Sequence, residues 1–232
     1  MSIENNLIKV EESIRLACLA AGRRPEEVRL VAVSKTQPIE FISEAFRAGQ
    51  KIFGENYVQE AVKKVALLPA AEWHFIGSLQ TNKVKDVVGS FSLIHSVDRI
   101  KLAKEIHQRA VSLGRVQDIL LQVHVGGEES KHGVSLENAE DLLEVILSLP
   151  GLRLRGMMSM PPLTEDEKVS RGYFSLLREA FCNYKKAISD VQNAKLFSEL
   201  SMGTSSDFEW AISEGSTMVR VGTAIFGPRQ YK

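Results

Sequence analysis

Apolar residues recur at Ile3, Leu7, Val10, Ile14, Ala17 and Ala21, three or four positions apart, and the run stops near Gly22. That spacing lays one stripe along a helix. Beyond it the period alternates. Short β-branched or continuously apolar stretches predict strands near 29–34, 50–54, 73–77, 92–97, 118–125, 152–159, 197–201 and 217–222. Helical periodicity fills the gaps, roughly over 38–48, 56–68, 80–89, 99–113, 135–148, 166–191 and 207–214. Steady alternation of this kind implies parallel strands joined by crossover helices. Eight strands in 232 residues match the (β/α)₈ count. The expectation is therefore an α/β fold: a TIM barrel with an additional N-terminal helix, an open doubly wound sheet being the alternative. No Pro/Gly/Ser-rich linker interrupts the pattern, so one domain is expected over 1–232.

The totals narrow the function classes. Hydrophobic residues make up 44% and charged residues 25%, which argues against disorder. Lys+Arg and Asp+Glu are 29 each, so there is no global basic field for nucleic acid or an anionic membrane. No stretch has the length of a membrane span, and the N-terminus lacks the form of a secretory signal. Cys18 and Cys182 fall in helical stretches without metal-ligand spacing and read as reduced, buried thiols of a cytoplasmic protein.

Three stretches carry candidate chemistry. Leu30–Val31–Ala32–Val33–Ser34–Lys35 puts an amine at the end of an apolar strand, and Pro38 fits the first turn of the next helix. An amine at that edge, partly desolvated, can attack a carbonyl and form a Schiff base; the competing reading is a lysine snorkelling to solvent. Ser201–Met202–Gly203–Thr204–Ser205–Ser206–Asp207 supplies small residues and hydroxyls for an anion, or else a plain turn with Ser206 or Asp207 capping the following helix. Met218–Val219–Arg220–Val221–Gly222–Thr223 puts Arg220 and Gly222 on one side of the last strand. The loops after strands seven and eight are where barrels commonly hold phosphate, so the two stretches together favour an anion site. An inward Arg220 needs a partner, either a carboxylate such as Glu55 or Glu199 or a ring nitrogen of a cofactor. Other residues are weaker candidates. Asn56 reads foremost as a helix cap, and His74, His95 and His124 as core or rim residues. Lys83 and Lys85 are rival amines in a helical, exposed context. The polar, glycine-rich stretch 126–133 and Met160–Pro161–Pro162 read as loops at strand ends.

Six motifs in order resemble one family. They are Val31–Ala32–Val33–Ser34–Lys35, Phe53–Gly54–Glu55–Asn56–Tyr57–Val58–Gln59–Glu60, Trp73–His74–Phe75–Ile76–Gly77, Leu79–Gln80–Thr81–Asn82–Lys83, the 201–207 stretch and Val219–Arg220–Val221–Gly222–Thr223–Ala224–Ile225–Phe226–Gly227. Over nearly its whole length the chain resembles the pyridoxal phosphate homeostasis proteins, relatives of the N-terminal barrel domain of alanine racemase. The resemblance implies pyridoxal 5′-phosphate (PLP) held as a covalent imine to Lys35, with Arg220 facing the pyridine nitrogen. Gly222 and Thr223, with Ser201 and Ser205, match the phosphate cradle, and Asn56 a ring-side contact. Two positions depart from the family pattern: Ser78 stands for its usual Pro, and Thr204 for its frequent Met. Thr204 brings a further hydroxyl near the phosphate.

The expected role is a carrier that binds, shields and delivers PLP without substrate turnover, with apo-PLP enzymes as transient recipients and Lys83 as a holding point for displaced cofactor. A monomer is expected, because the site needs no second chain. The alternative is an amino-acid racemase of the alanine racemase type. That needs a second base from an additional C-terminal β domain, for which the tail ending at Tyr231–Lys232 leaves no room. A phosphosugar enzyme with an imine lysine is a third reading and leaves Arg220 unexplained.

Overall fold

The computed structural model of the protein describes residues 2–126 and 133–228. The first helix, α1 (Ile3–Ala20), is capped by Ser2, whose Oγ accepts from the Asn5 N–H at 3.2 Å. Its stripe of Ile3, Leu7, Val10, Ile14 and Cys18 is buried. Eight strands follow: β1 (Arg29–Val33), β2 (Ile52–Glu55), β3 (Glu72–Phe75), β4 (Leu93–Val97), β5 (Gln117–His124), β6 (Leu152–Met158), β7 (Glu199–Thr204) and β8 (Met218–Val221). All neighbours are parallel. The sheet closes where β8 lies beside β1, with Arg29 opposite Met218 and Ala32 opposite Val221. This is the expected (β/α)₈ barrel. A two-residue strand, Val134–Ser135, adds to the end of β5.

Side-chain alternation divides two cores. Val31, Ile52, Leu93, Leu120, Met158 and Met218 pack with one another inside the barrel. Their neighbours Ala32, Phe53, Ile94, Ile119, Leu121, Met157 and Val219 join the larger core between barrel and helices. At Gly156 in β6 a Cβ would lie 1.8 Å from the Glu199 carbonyl oxygen of β7. Only glycine fits there.

The helices depart from expectation in three places. The stretch 80–89 forms a single 3-10 turn (Thr81–Lys83) and α4 (Val84–Val87). The long helix expected over 166–191 divides into α7 (Glu167–Ala187) and α8 (Val191–Leu196), because Asp190 starts a new helix by accepting from the Asn193 N–H. After β8, where a turn was expected, Thr223–Phe226 forms the short helix α10. The remaining helices are α2 (Ile39–Arg47), α3 (Val58–Leu67), α5 (Ile100–Ser112), α6 (Ala139–Leu147) and α9 (Phe208–Ser213). Cys18 is buried as expected, but Cys182 is exposed on α7. Most of the expected 126–133 loop, residues 127–132, lies outside the described residues, as does the tail 229–232. Among the described residues no helix is long and apolar enough to cross a membrane. None of their His, Cys, Asp and Glu side chains form a group that could hold a metal ion.

Candidate functional site

The C-terminal ends of the strands surround a cavity of about 500 Å³. Its wall includes Val33, Lys35 and Asn56 on one side, and Arg220, Gly222 and Thr223 with Thr204, Ser205 and Ser206 on the other. Ile76, Met160 and Leu163 supply an apolar face.

Lys35 leaves β1 in a tight turn closed by the Gln37 N–H to the Ser34 carbonyl, 3.0 Å. Thr36 adopts φ 63°, the sole positive φ outside glycine among the described residues. That conformation is costly for a β-branched residue and persists only when neighbours hold it. The neighbours are identifiable. The Thr36 N–H donates to Glu60 Oε1 at 2.7 Å, and Lys64 Nζ donates to the Ser34 carbonyl at 2.7 Å and to Glu55 Oε1 at 2.8 Å, and also bonds Glu60. Ser34 Oγ donates to Glu55 at 2.6 Å. Burial pushes the Glu55 carboxyl up, against the pull of Lys64. Lys64 is assigned no role from the sequence and Glu60 enters there only as the end of a motif, although their i,i+4 spacing on α3 after a strand-end glutamate is visible there.

Asn56 does not act as a cap. Helix α3 starts from Tyr57 without a side-chain cap bond, and Asn56 Oδ1 is buried without a hydrogen-bond partner. A buried orphan acceptor on a cavity wall is a fit for a ligand donor.

On the opposite wall, Asp207 does not cap α9 either; its Oδ1 accepts from the Thr204 N–H and from Thr204 Oγ1, at 2.6 and 2.9 Å. The Thr204 hydroxyl hydrogen is thereby committed away from any anion. Ser205 Oγ accepts from the Gly222 N–H at 3.1 Å, which ties the β7 and β8 loops together. A Cβ on Gly222 would meet the Val33 carbonyl oxygen at 3.2 Å. Glycine lets the β8 end press against β1.

Arg220 is 4% exposed. Its Nη1 donates to Ser201 Oγ at 2.6 Å and its Nη2 to the Ser159 carbonyl at 2.9 Å. The two carboxylates considered as its partners are engaged elsewhere, Glu55 with Lys64 and Glu199 with Arg29 at 2.7 Å. Burial lowers the guanidinium to about 10, which leaves it charged at neutral pH. A buried cation held by neutral acceptors and facing a cavity suits a ligand that brings an acceptor. Ser201 is absent from the cavity wall; it is fully buried behind Arg220. Lys83 is likewise not among the residues that line the cavity.

Residues 11–230 match the family model described as alanine racemase, N-terminal domain. The pyridoxal phosphate homeostasis protein of Aquifex aeolicus is 47% identical over 233 residues, covering all of both chains. That of Escherichia coli K12 is 42% identical, covering 99% of this chain and 97% of its own. Among solved structures, PipY of Synechococcus elongatus with PLP bound is 38% identical, with a TM-score of 0.78 over 93% of this chain and 99% of that one. Alanine racemase of Streptomyces lavendulae superimposes with a TM-score of 0.72 over 97% of this chain and 56% of that one, at 15% identity, which is a likeness of fold.

Proposed function

Since the chain belongs to the pyridoxal phosphate homeostasis proteins, we propose that it binds PLP in the cavity between Lys35 and Arg220 and holds the cofactor for delivery without turning over a substrate. The carrying observation is the composition of the wall. Lys35 and Arg220 are its titratable side chains among the described residues, one an amine and the other a permanently charged donor. When bound, PLP supplies an electrophilic aldehyde and a pyridine ring whose electron demand rises when its nitrogen is protonated.

The residues fit that group. Lys35, fixed by its strained turn, offers Nζ for a covalent bond. Arg220 donates to the ring nitrogen and, keeping its own proton, leaves that nitrogen unprotonated. Gly222 and Thr223, with Ser205, offer the phosphate small residues and donors, and Asn56 Oδ1 offers the ring edge an acceptor. Ser201 contributes through Arg220 instead of by contact. Racemisation needs a base on each face of the substrate carbon, and the wall has one amine and no second titratable base among the described residues.

Borohydride reduction of the PLP-loaded protein, followed by peptide mass analysis, tests the covalent bond. Stable attachment at Lys35, lost in Lys35→Ala, is expected. A colourless protein that retains no PLP would overturn the reading. Measurable interconversion of alanine enantiomers, lost in Lys35→Ala, would replace the carrier with the racemase.

A further inference from the structure

A chain of hydrogen bonds crosses the barrel beneath Arg220. Ser201 Oγ lies 3.1 Å from His95 Nδ1, His95 Nε2 lies 3.0 Å from His74 Nδ1, and His74 Nε2 lies 2.9 Å from Glu72 Oε1. Both imidazoles and Ser201 are fully buried, whereas Glu72 is exposed at the start of β3. There it faces a second cavity, of about 200 Å³, at the opposite mouth, with Arg29, Asp118, Arg155 and Glu199. Five groups from four strands thus link the two mouths.

We infer that this chain runs in one direction, from Arg220 through Ser201, His95 and His74 to Glu72, and that its members are positioning residues for Arg220. The direction follows from the ends. An ionised carboxylate only accepts, so His74 carries its proton on Nε2 and accepts at Nδ1. His95 must then donate from Nε2 and accept at Nδ1. Ser201 must give its hydroxyl hydrogen to His95, which leaves its lone pairs for Arg220. Each link agrees with the next, and a guanidinium, which only donates, ends the chain. Burial lowers both histidines, with Arg29 and Arg220 opposing their charge and Glu72 and Glu199 favouring it on His74; the hydrogen bond from His74 lowers Glu72. Two neutral imidazoles and an ionised Glu72 are the states the chain requires.

The consequence for Arg220 rests on the proposed PLP site. Toward Arg220, Ser201 acts only as an acceptor, which fixes the guanidinium plane toward the cavity. A substitution at the far mouth therefore reaches the cofactor's ring end.

Long-range ¹H–¹⁵N correlation spectra of the full chain at pH 7.5 without added PLP read the tautomers directly. His74 and His95 are both expected as Nε2–H forms with bare Nδ1. A Nδ1–H form at either would overturn the proposal. Glu72→Ala, an exposed substitution, is expected to admit the second tautomer at His74; unchanged pure spectra would break the link to the far mouth. Ser201→Ala is expected to weaken PLP binding about tenfold while both histidines keep their tautomers. Unaltered PLP affinity in a folded Ser201→Ala would remove the positioning role. Failure of the wild type to bind PLP leaves the tautomer result standing and refutes only the cofactor reading.

Discussion

Two buried cations lie close to the same cavity and are handled in opposite ways. Lys64, 6% exposed, is surrounded by Glu55, Glu60 and the Ser34 carbonyl. Arg220, 4% exposed, has a hydroxyl, a carbonyl and the cavity. The first is complete, with its charge neutralised inside the fold, and its work is to hold the Lys35 turn. The second has no carboxylate among its hydrogen-bond partners, with Asp207 favouring its charge only through space, and its burial is costly unless a ligand supplies an acceptor. Burial of a charge is therefore uninformative by itself. Its partners separate a structural ion cluster from a binding group.

That contrast can be broken most severely at Lys64. Lys64→Met leaves Glu55 buried and unpaired, and a loss of about 3–5 kcal/mol in unfolding free energy is expected by chemical denaturation. A loss below about 1 kcal/mol would mean that water or Glu60 rearrangement compensates. Arg220→Met is expected to behave in reverse. Its stability stays within about 1 kcal/mol of wild type, because an apolar replacement relieves a desolvated charge, while PLP affinity by equilibrium dialysis falls about a hundredfold. A destabilisation equal to that of Lys64→Met would erase the distinction.

The neutral relay behind Arg220 makes a pH prediction of intermediate size. Burial holds His74 and His95 below their ordinary value. Above about 6.5 both folded and unfolded chains keep them neutral. Below it the unfolded chain gains protons that the folded interior refuses, so stability falls as pH drops toward the folded values, by about 1.4 kcal/mol per unit per histidine at most. Denaturation midpoints at pH 7.5 and 5.5 check the sign; a flat response between them contradicts neutral buried imidazoles. The smallest effect concerns the strained turn. Thr36→Gly is expected to raise stability by up to about 1 kcal/mol through relief of φ 63°. A loss instead would show that the Glu60 contact depends on the threonine conformation.

The chain's periodicities were sufficient for the barrel. Eight β-rich stretches separated by helical stripes admit few compact arrangements, because each apolar strand must be covered and each helix has one apolar face. Lys35 and the two hydroxyl-rich loops were also legible, since a strand-end amine and small residues at strands seven and eight are local signals. Helix ends were less so: the division at Ile188–Asp190 and the fourth helix's reduction to Val84–Val87 depend on packing that no window of sequence contains.

Partnerships between side chains, by contrast, are set by closure of the barrel. Glu55 and Glu199 were reasonable mates for Arg220 in the sequence, yet barrel closure turns them outward or to the opposite mouth, toward Lys64 and Arg29. His74 and His95 read as isolated core histidines, and the distance of 106 residues between His95 and Ser201 hid their bond. Strand alternation tells which residues share a face. It cannot tell which of eight inward faces meet across the axis, because that depends on register and stagger around the closed sheet.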